Sequence, residues 1–182
     1  MLYIIRHGRT DWNDEMRLQG QTDIPLNDDG RRMAEEAAGR YGKIHFDLAF
    51  CSPLLRAKET AEILLWGRDI PIYFDDRLKE MAFGVCEGAK DYRTDPACPV
   101  SLLFRDPEAY DPPEGAESLD ELFERTGAFL EERVLPLVRE GKDVLIVGHG
   151  AMNSAIICRM AGLSRKDFWS AGIENCELKR IG

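Results

Sequence analysis

The stretch Ile4-Ile5-Arg6-His7-Gly8-Arg9-Thr10-Asp11-Trp12-Asn13 decides how the rest of this chain is read. The apolar run from Leu2 to Ile5 has the length and composition of a short buried strand. It gives way at once to Arg6, His7 and Gly8. A second stretch repeats the arrangement, with Val144-Leu145-Ile146-Val147 followed by Gly148-His149-Gly150. In open α/β sheets, ligands bind in the crevice outside the carboxyl ends of the strands. Two histidines delivered there meet if their strands are neighbours. The flanking Gly8, Gly148 and Gly150 let the backbone turn sharply and let a ligand approach closely. The chain has three histidines (His7, His45, His149), and two of them sit in this strand-end, glycine-flanked setting.

Outward from these stretches, apolar runs alternate with helical patterns, the signature of an α/β domain with a mostly parallel central sheet. The pattern predicts a helix over residues 27–41 with Asn27 as its N-cap and Asp28 and Asp29 in the first turn. A strand is expected over 46–51. Ser52-Pro53 then opens a helix to about Trp66, the serine capping and the proline at the first helical position. A weaker strand covers 70–74. Ser118-Leu119-Asp120-Glu121 is a capping box, so a long helix starts there and runs toward Glu140, ended or kinked by Pro136. A strand over 143–147, a helix over 151–161, a short helix capped by Ser164 and a last strand over 176–181 complete the reading. Between Arg77 and Glu117 the pattern breaks down, interrupted by Gly88, Pro96, Pro99, Pro107, Pro112, Pro113 and Gly115. This is read as a lid-like excursion at about 88–117 with one helical turn near Leu102 to Phe104, since long loops in compact domains are usually functional or mobile. With no repeat and no linker, residues 1–182 are expected to form a single domain.

Composition bounds the function. The 182 residues are 44% apolar and 31% charged, an ordinary globular balance. Lys and Arg number 24 against 33 Asp and Glu, a net charge of −9. So acidic a chain without a basic run is a poor partner for nucleic acid or anionic lipid, and both are excluded as expected partners. No apolar run approaches the ~20 residues of a membrane span, and the first residues lack the basic and apolar regions of a secretory signal, so a cytoplasmic location is expected. The five cysteines (Cys51, Cys86, Cys98, Cys158, Cys176) are odd in number, widely spaced and without a Cys-x-x-Cys, which reads as reduced thiols. No histidine stands at metal-ligand spacing from another, so neither metal nor other cofactor is expected.

An anion site in such a chain must be a local cluster of cations. Arg6 and Arg9 beside His7 make one, and Arg56, just beyond the second strand, has the position to join it. Guanidinium presents a planar fork of donors that suits phosphate oxygens. Imidazole is a competent nucleophile near neutral pH, and its attack on phosphorus gives a phosphohistidine that water hydrolyses. Phosphoryl transfer needs mainly alignment and stabilisation of spread negative charge. The departing alkoxide also needs a proton. Spacing leaves the donor open between Glu80, which opens the excursion directly after a strand, and Glu87. Trp12 reads as packing.

Arg6-His7-Gly8-x-Thr10-x-x-Asn13 resembles the defining motif of the histidine phosphatase superfamily, the phosphoglycerate mutase-like proteins. Further matches follow in the family's order: Arg17-Leu18-Gln19-Gly20, Asp23-x-Pro25-Leu26, Gly30, Cys51-Ser52-Pro53-Leu54-x-Arg56-Ala57-x-x-Thr60, Leu78-x-Glu80-x-x-x-Gly84-x-x-Glu87-Gly88 and Gly148-His149-Gly150. The resemblance implies a three-layer α/β/α sandwich and no metal. It implies His7 as the phosphorylated nucleophile and Glu80, rather than Glu87, as proton donor. Arg6, Arg56 and His149 would bind the transferring phosphoryl group. Asn13 would hold a phosphate oxygen, and Thr10, Gln19, Gly20 and Gly150 would lie at the substrate. Cys86, Ala116 and Glu177 depart from the family pattern and are expected to alter the pocket wall.

Within the family the alternatives are a phosphatase and a phosphoglycerate mutase, which resembles this chain but carries added cations for a second phosphate and a carboxylate. Residues 88–117 hold Lys90, Arg93 and Arg105 against Asp91, Asp95, Asp106, Glu108, Asp111, Glu114 and Glu117. An acidic lid is a poor clamp for a highly anionic substrate, so a phosphatase of small-molecule phosphomonoesters is expected. The layout resembles the compact branch containing α-ribazole phosphatases and broad-specificity phosphatases. A non-catalytic phospholigand-binding module is the alternative from another class, and a cysteine hydrolase built on Cys51 or Cys86 is weaker. Oligomeric state, a homodimer included, is left open.

Overall fold

The computed structural model describes residues 1–181. Five strands, β1 (Leu2–Arg6), β2 (Leu48–Cys51), β3 (Ile72–Phe74), β4 (Val144–Gly148) and β5 (Leu178–Ile181), form one sheet in the order β3-β2-β4-β1-β5. All pairings are parallel except that of β5 with β1. The helices are α1 (Asp11–Asp14), α2 (Asp28–Tyr41), α3 (Leu55–Leu64), α4 (Ser101–Arg105), α5 (Leu119–Phe129), α6 (Leu135–Arg139) and α7 (Gly150–Ala161).

Side-chain alternation along the strands separates two cores. Leu2, Ile4, Phe50, Val144 and Ile146 face one side, where Leu122, Phe129 and the apolar positions of α7 cover them. Ile5, Ala49, Cys51, Leu145 and Val147 face the other, against Ala34 and Ala37 of α2 and Ala57 and Ala61 of α3. The result is the expected three-layer α/β/α sandwich. The small alanines on α2 and α3 let those helices lie close to the sheet. The consequence for function lies in the connections. The chain leaving β1 passes to α2 on one face, and the chain leaving β4 passes to α7 on the other, although the two strands are neighbours. A crevice must therefore open at their carboxyl ends, the topological switch point of the sheet.

Several expected boundaries move for identifiable reasons. Ser52 does not cap α3: that helix begins at Leu55 with Leu54 as its N-cap residue and no capping side chain from it. Asp23 instead accepts from the Leu55 N–H at 2.7 Å, while the Ser52 hydroxyl is engaged elsewhere. The helix opened by the Ser118 capping box forms as expected, but it widens into a π-helical turn over Leu130–Val134 before α6. Pro136 has no N–H for the Glu132 carbonyl, and Leu135 reaches back to Leu130 in compensation. The excursion holds α4, the helical turn expected there, and a short 3₁₀ turn at Pro107–Ala109, and another 3₁₀ turn at Gly84–Cys86 precedes it.

The loop after β1 depends on a close backbone approach to α2. A Cβ on Gly30 would overlap the Arg9 carbonyl oxygen, and one on Gly8 would meet the Gly30 backbone. Gly39, also in α2, has nothing within 4 Å of its Cβ position. Gly30→Ala is therefore expected to destabilise the protein by about 1–3 kcal/mol, whereas Gly39→Ala stabilises it by roughly 0.5–1 kcal/mol. Urea denaturation of the two variants checks both signs.

Candidate active site

The parallel register places Arg6 opposite Gly148. His7 and His149 therefore leave adjacent strands at the same level, and their ring centroids lie 5.1 Å apart. Both rings are buried. His7 lines a cavity of about 450 Å³ together with Arg6, Asn13, Gln19, Gly20, Arg56, Glu80 and Gly150, while His149, fully buried, packs against His7 without lining the cavity itself.

His7 is held by the loop that carries it. Its Nδ1 donates to the Gly8 carbonyl at 2.6 Å, which can only accept, so the ring proton is on Nδ1 and Nε2 keeps its lone pair. The Gly8 N–H donates to Thr60 Oγ1 at 3.0 Å, and that hydroxyl donates to the Arg56 carbonyl at 2.7 Å. Asn175 Nδ2 donates to the His7 carbonyl at 2.7 Å. The loop is thus fixed on both sides. Burial, with Arg56 and Arg6 alongside, holds the His7 imidazole well below its usual range, so the ring is neutral. Burial, with Arg56, His7 and Arg6 near it, does the same to His149.

Arg56 is fully buried, and no carboxylate pairs with it among the described residues. Its Nη1 donates to the Thr22 carbonyl at 3.0 Å and its Nη2 to the Gly20 carbonyl at 2.6 Å, while Nε has no partner. Gly20 offers that carbonyl from a left-handed conformation, φ +57°. Burial lowers the Arg56 guanidinium to about 10, which leaves it charged at neutral pH. Arg6 donates to the Ile173 carbonyl at 3.2 Å and also has an unpartnered buried Nε. Two cations with spare donors thus face one cavity.

Glu80 sits at the start of α7. Its carboxylate accepts from the N–H groups of Met81 (2.9 Å), Met152 (3.0 Å) and Ala151 (3.2 Å). Arg125 fixes the segment that carries it, donating to the carbonyls of Arg77, Lys79 and Glu80. Glu87, the other candidate acid, does not line the cavity. It accepts from the N–H groups of Gln21 (2.9 Å), Thr22 (2.8 Å) and Phe83 (3.1 Å) and from the Thr22 hydroxyl, tying the 20–22 loop to the acid-bearing segment.

Thr10 also departs from expectation. It is fully buried and caps α1: its hydroxyl accepts from the Asn13 N–H at 3.2 Å and donates to Asn13 Oδ1 at 3.1 Å. With donor and acceptor both used, it does not line the cavity and serves to orient Asn13, whose Nδ2 remains free for a ligand. None of the departures at 86, 116 and 177 lines the cavity itself, and those at 116 and 177 reach it through Phe83 and Glu174, which do. Cys86 is buried in the core, Ala116 bridges to Phe83, and Glu177 accepts from the Glu174 N–H at 2.8 Å to close a turn. The neighbouring Glu117 pairs with Arg125 at 2.5 Å.

The acidic reading of residues 88–117 requires correction. None of the seven carboxylates of that segment lines the cavity, whereas Arg93 and Arg105 both do, beside Arg17. Arg93 lies over the rings of Tyr92 (5.6 Å) and Phe104 (5.2 Å), and Phe104 stacks on Trp169 at 4.7 Å. Composition could not show this, because a count of charges carries no information on which side of a loop each one faces. The outer part of the cavity is thus aromatic and cationic, with Glu174 as the carboxylate at its rim.

Comparison with known proteins identifies the family. The family model described as "Histidine phosphatase superfamily (branch 1)" matches residues 2–182. A 2,3-bisphosphoglycerate-dependent phosphoglycerate mutase of Cytophaga hutchinsonii is 32% identical over 170 residues, 92% of this chain and 80% of the relative. Among solved structures, Bacillus stearothermophilus YhfR superposes with a TM-score of 0.87 at 31% identity, covering 97% of this chain and 88% of that one. A putative α-ribazole-5'-P phosphatase of Escherichia coli K-12 gives 0.82 at 26% identity, covering 97% and 87%. The chain belongs to the histidine phosphatase superfamily, a family of phosphatases and mutases.

Proposed function

We propose that this protein is a metal-independent phosphomonoesterase that acts on a small-molecule phosphate ester through a phosphohistidine on His7. The observation that carries the reading is the bonding of His7. Its Nδ1–H is committed to Gly8, so the Nε2 lone pair is free, in a neutral ring, beside the buried Arg56 and the half-buried Arg6, each with a donor to spare. Nε2 attacks phosphorus, the bond to the ester oxygen breaks, and the alkoxide takes a proton from Glu80. Water then attacks the phosphohistidine while Glu80 takes a proton from it, the P–N bond breaks, and phosphate leaves with His7 restored. Arg6, Arg56, His149 and Asn13 would carry the charge on the equatorial oxygens. Gln19, Gly20 and Gly150 would border the substrate.

A second reading, a mutase that returns the phosphoryl group to a carbon skeleton, is favoured by one observation: Arg93 and Arg105 face inward, where an anionic leaving group would meet them. Release of phosphate distinguishes the two. Isomerisation of 3-phosphoglycerate primed with its bisphosphate, without net phosphate release, would establish the mutase. A wild-type protein silent on that substrate and on a phosphomonoester panel would leave a phospholigand-binding module.

The expected results are specific. Wild type hydrolyses p-nitrophenyl phosphate with a chelator present, and His7→Ala abolishes turnover. Glu80→Gln slows an alkyl phosphate by about 10²–10⁴-fold and p-nitrophenyl phosphate much less, because p-nitrophenolate leaves without a proton. Phenyl phosphate and its 4-carboxy derivative, compared on Arg93→Gln and Arg105→Gln, test the outer arginines: each change is expected to remove about five- to tenfold of any preference for the carboxylate, read in kcat/KM. The neutral histidines also set a pH dependence of stability. Their folded pKa values lie well below 6.5, so below about pH 6.5 the unfolded chain binds protons that the fold excludes. Unfolding free energy should therefore fall as pH drops from 6.5 toward 5, by up to about 1.4 kcal/mol per unit for each histidine, and less steeply in His7→Gln. Denaturant titrations at several pH values measure the slope.

A further inference from the structure

Ser52 stands directly after β2, is fully buried, and makes a contact that capping does not explain. Its Oγ lies 2.7 Å from His149 Nε2 and accepts from the Leu54 N–H at 3.3 Å. One lone pair of the oxygen is thus used by a backbone donor. A buried hydroxyl must also place its own proton, and among the described residues Nε2 is the acceptor in reach. Nε2 therefore accepts and the ring proton sits on Nδ1. That Nδ1 is buried and without a partner among the described residues. An unsatisfied donor of this kind, on a ring whose centroid lies 5.1 Å from that of the cavity-lining His7, calls for an oxygen supplied from outside.

We propose that Ser52 is a positioning residue that locks His149 in the Nδ1–H tautomer, so that Nδ1 donates to the transferring phosphoryl group. The inference rests on the phosphoryl-site reading of the cavity. The opposite tautomer would turn a lone pair toward phosphoryl oxygens and orphan the Ser52 proton. Burial and the neighbouring cations keep the ring from taking a second proton, so the tautomer alone decides whether His149 attracts or repels the ligand. The sheet sets the geometry. Cys51 pairs with Val147, and the Ser52 N–H donates to the Val147 carbonyl at 3.1 Å, two residues before His149. Hydroxyl and imidazole are thereby fixed by the same ladder of hydrogen bonds.

Long-range ¹H–¹⁵N NMR of the histidine rings tests the assignment on the whole protein. Wild type is expected to show His149 with a protonated Nδ1 and an unprotonated Nε2, Ser52→Ala to lose that preference, and Ser52→Thr, which keeps the hydroxyl, to retain it. In step with the tautomer, Ser52→Ala should lose about ten- to a hundredfold in kcat on p-nitrophenyl phosphate and in affinity for inorganic phosphate, with Ser52→Thr recovering most of both. A merely structural serine would change stability and leave the tautomer alone. Wild-type His149 protonated on Nε2, or Ser52→Ala with tautomer and phosphate affinity unchanged, would overturn the proposal. If Ser52→Ala does not fold, the wild-type tautomer and Ser52→Thr decide it. Should wild type prove inactive on every ester, the phosphatase reading fails, and the tautomer with phosphate affinity still settles the part played by Ser52.

Discussion

The parallel pairing of β1 with β4 is the constraint on which the rest depends. Both strands are buried on both faces, and their register is set by apolar side chains that must alternate between two separate cores. A slip of one residue would exchange the two sets, sending Ile4 and Ile146 toward α2 and α3 and Ile5 and Val147 toward α5 and α7. Register is therefore defended by the whole of both cores. The candidate site inherits that precision, because His7 and His149 each follow the last residue of their strand. A pair of imidazoles 5.1 Å apart, carried on loops alone, would have no such guarantee.

The second organising fact is the distribution of charge. The chain carries a net charge of −9, yet its cavity gathers five arginines against two carboxylates. Two kinds of arginine stand in and around the cavity. Arg125 is satisfied by Glu117 and three carbonyls and serves as a clamp on the backbone that presents Glu80. Arg6 and Arg56 are held by carbonyl oxygens, which orient a guanidinium without neutralising it. That difference separates a structural cation from one whose charge remains available to an anion, since a carboxylate partner would compete with the ligand and a carbonyl does not. Glu87, Thr10 and Thr60 belong to the same framework, spending their hydrogen bonds on the loops around the cavity.

Much of this was legible in residue order. The strand-end placement of His7 and His149 identified the crevice, apolar periodicity gave the sheet and its main helices, and Asn27 and the Ser118 box marked helix starts that the structure keeps. These signals are local, resting on side-chain periodicity and on backbone groups within a turn of the residue concerned. Readings failed where one residue had two possible partners. Ser52 before a proline has the form of a helix cap, but β4 brings an imidazole to it, and the histidine wins. Thr10 in the motif has the form of a ligand contact, but Asn13 three residues on takes both its donor and its acceptor.

By itself, then, residue order determined the fold class, the sheet edge at which the cavity opens, and the two histidines delivered there, because periodicity and strand-end position are properties of short stretches. Only the tertiary structure decided which carboxylate meets α7 and which ties a loop, which hydroxyl faces an imidazole, and that Arg93 and Arg105 turn inward while the acids of the same segment turn out. Those choices are competitions for hydrogen bonds and solvent between groups distant in the chain. Their outcome depends on distances that exist only once the two cores have closed on the sheet.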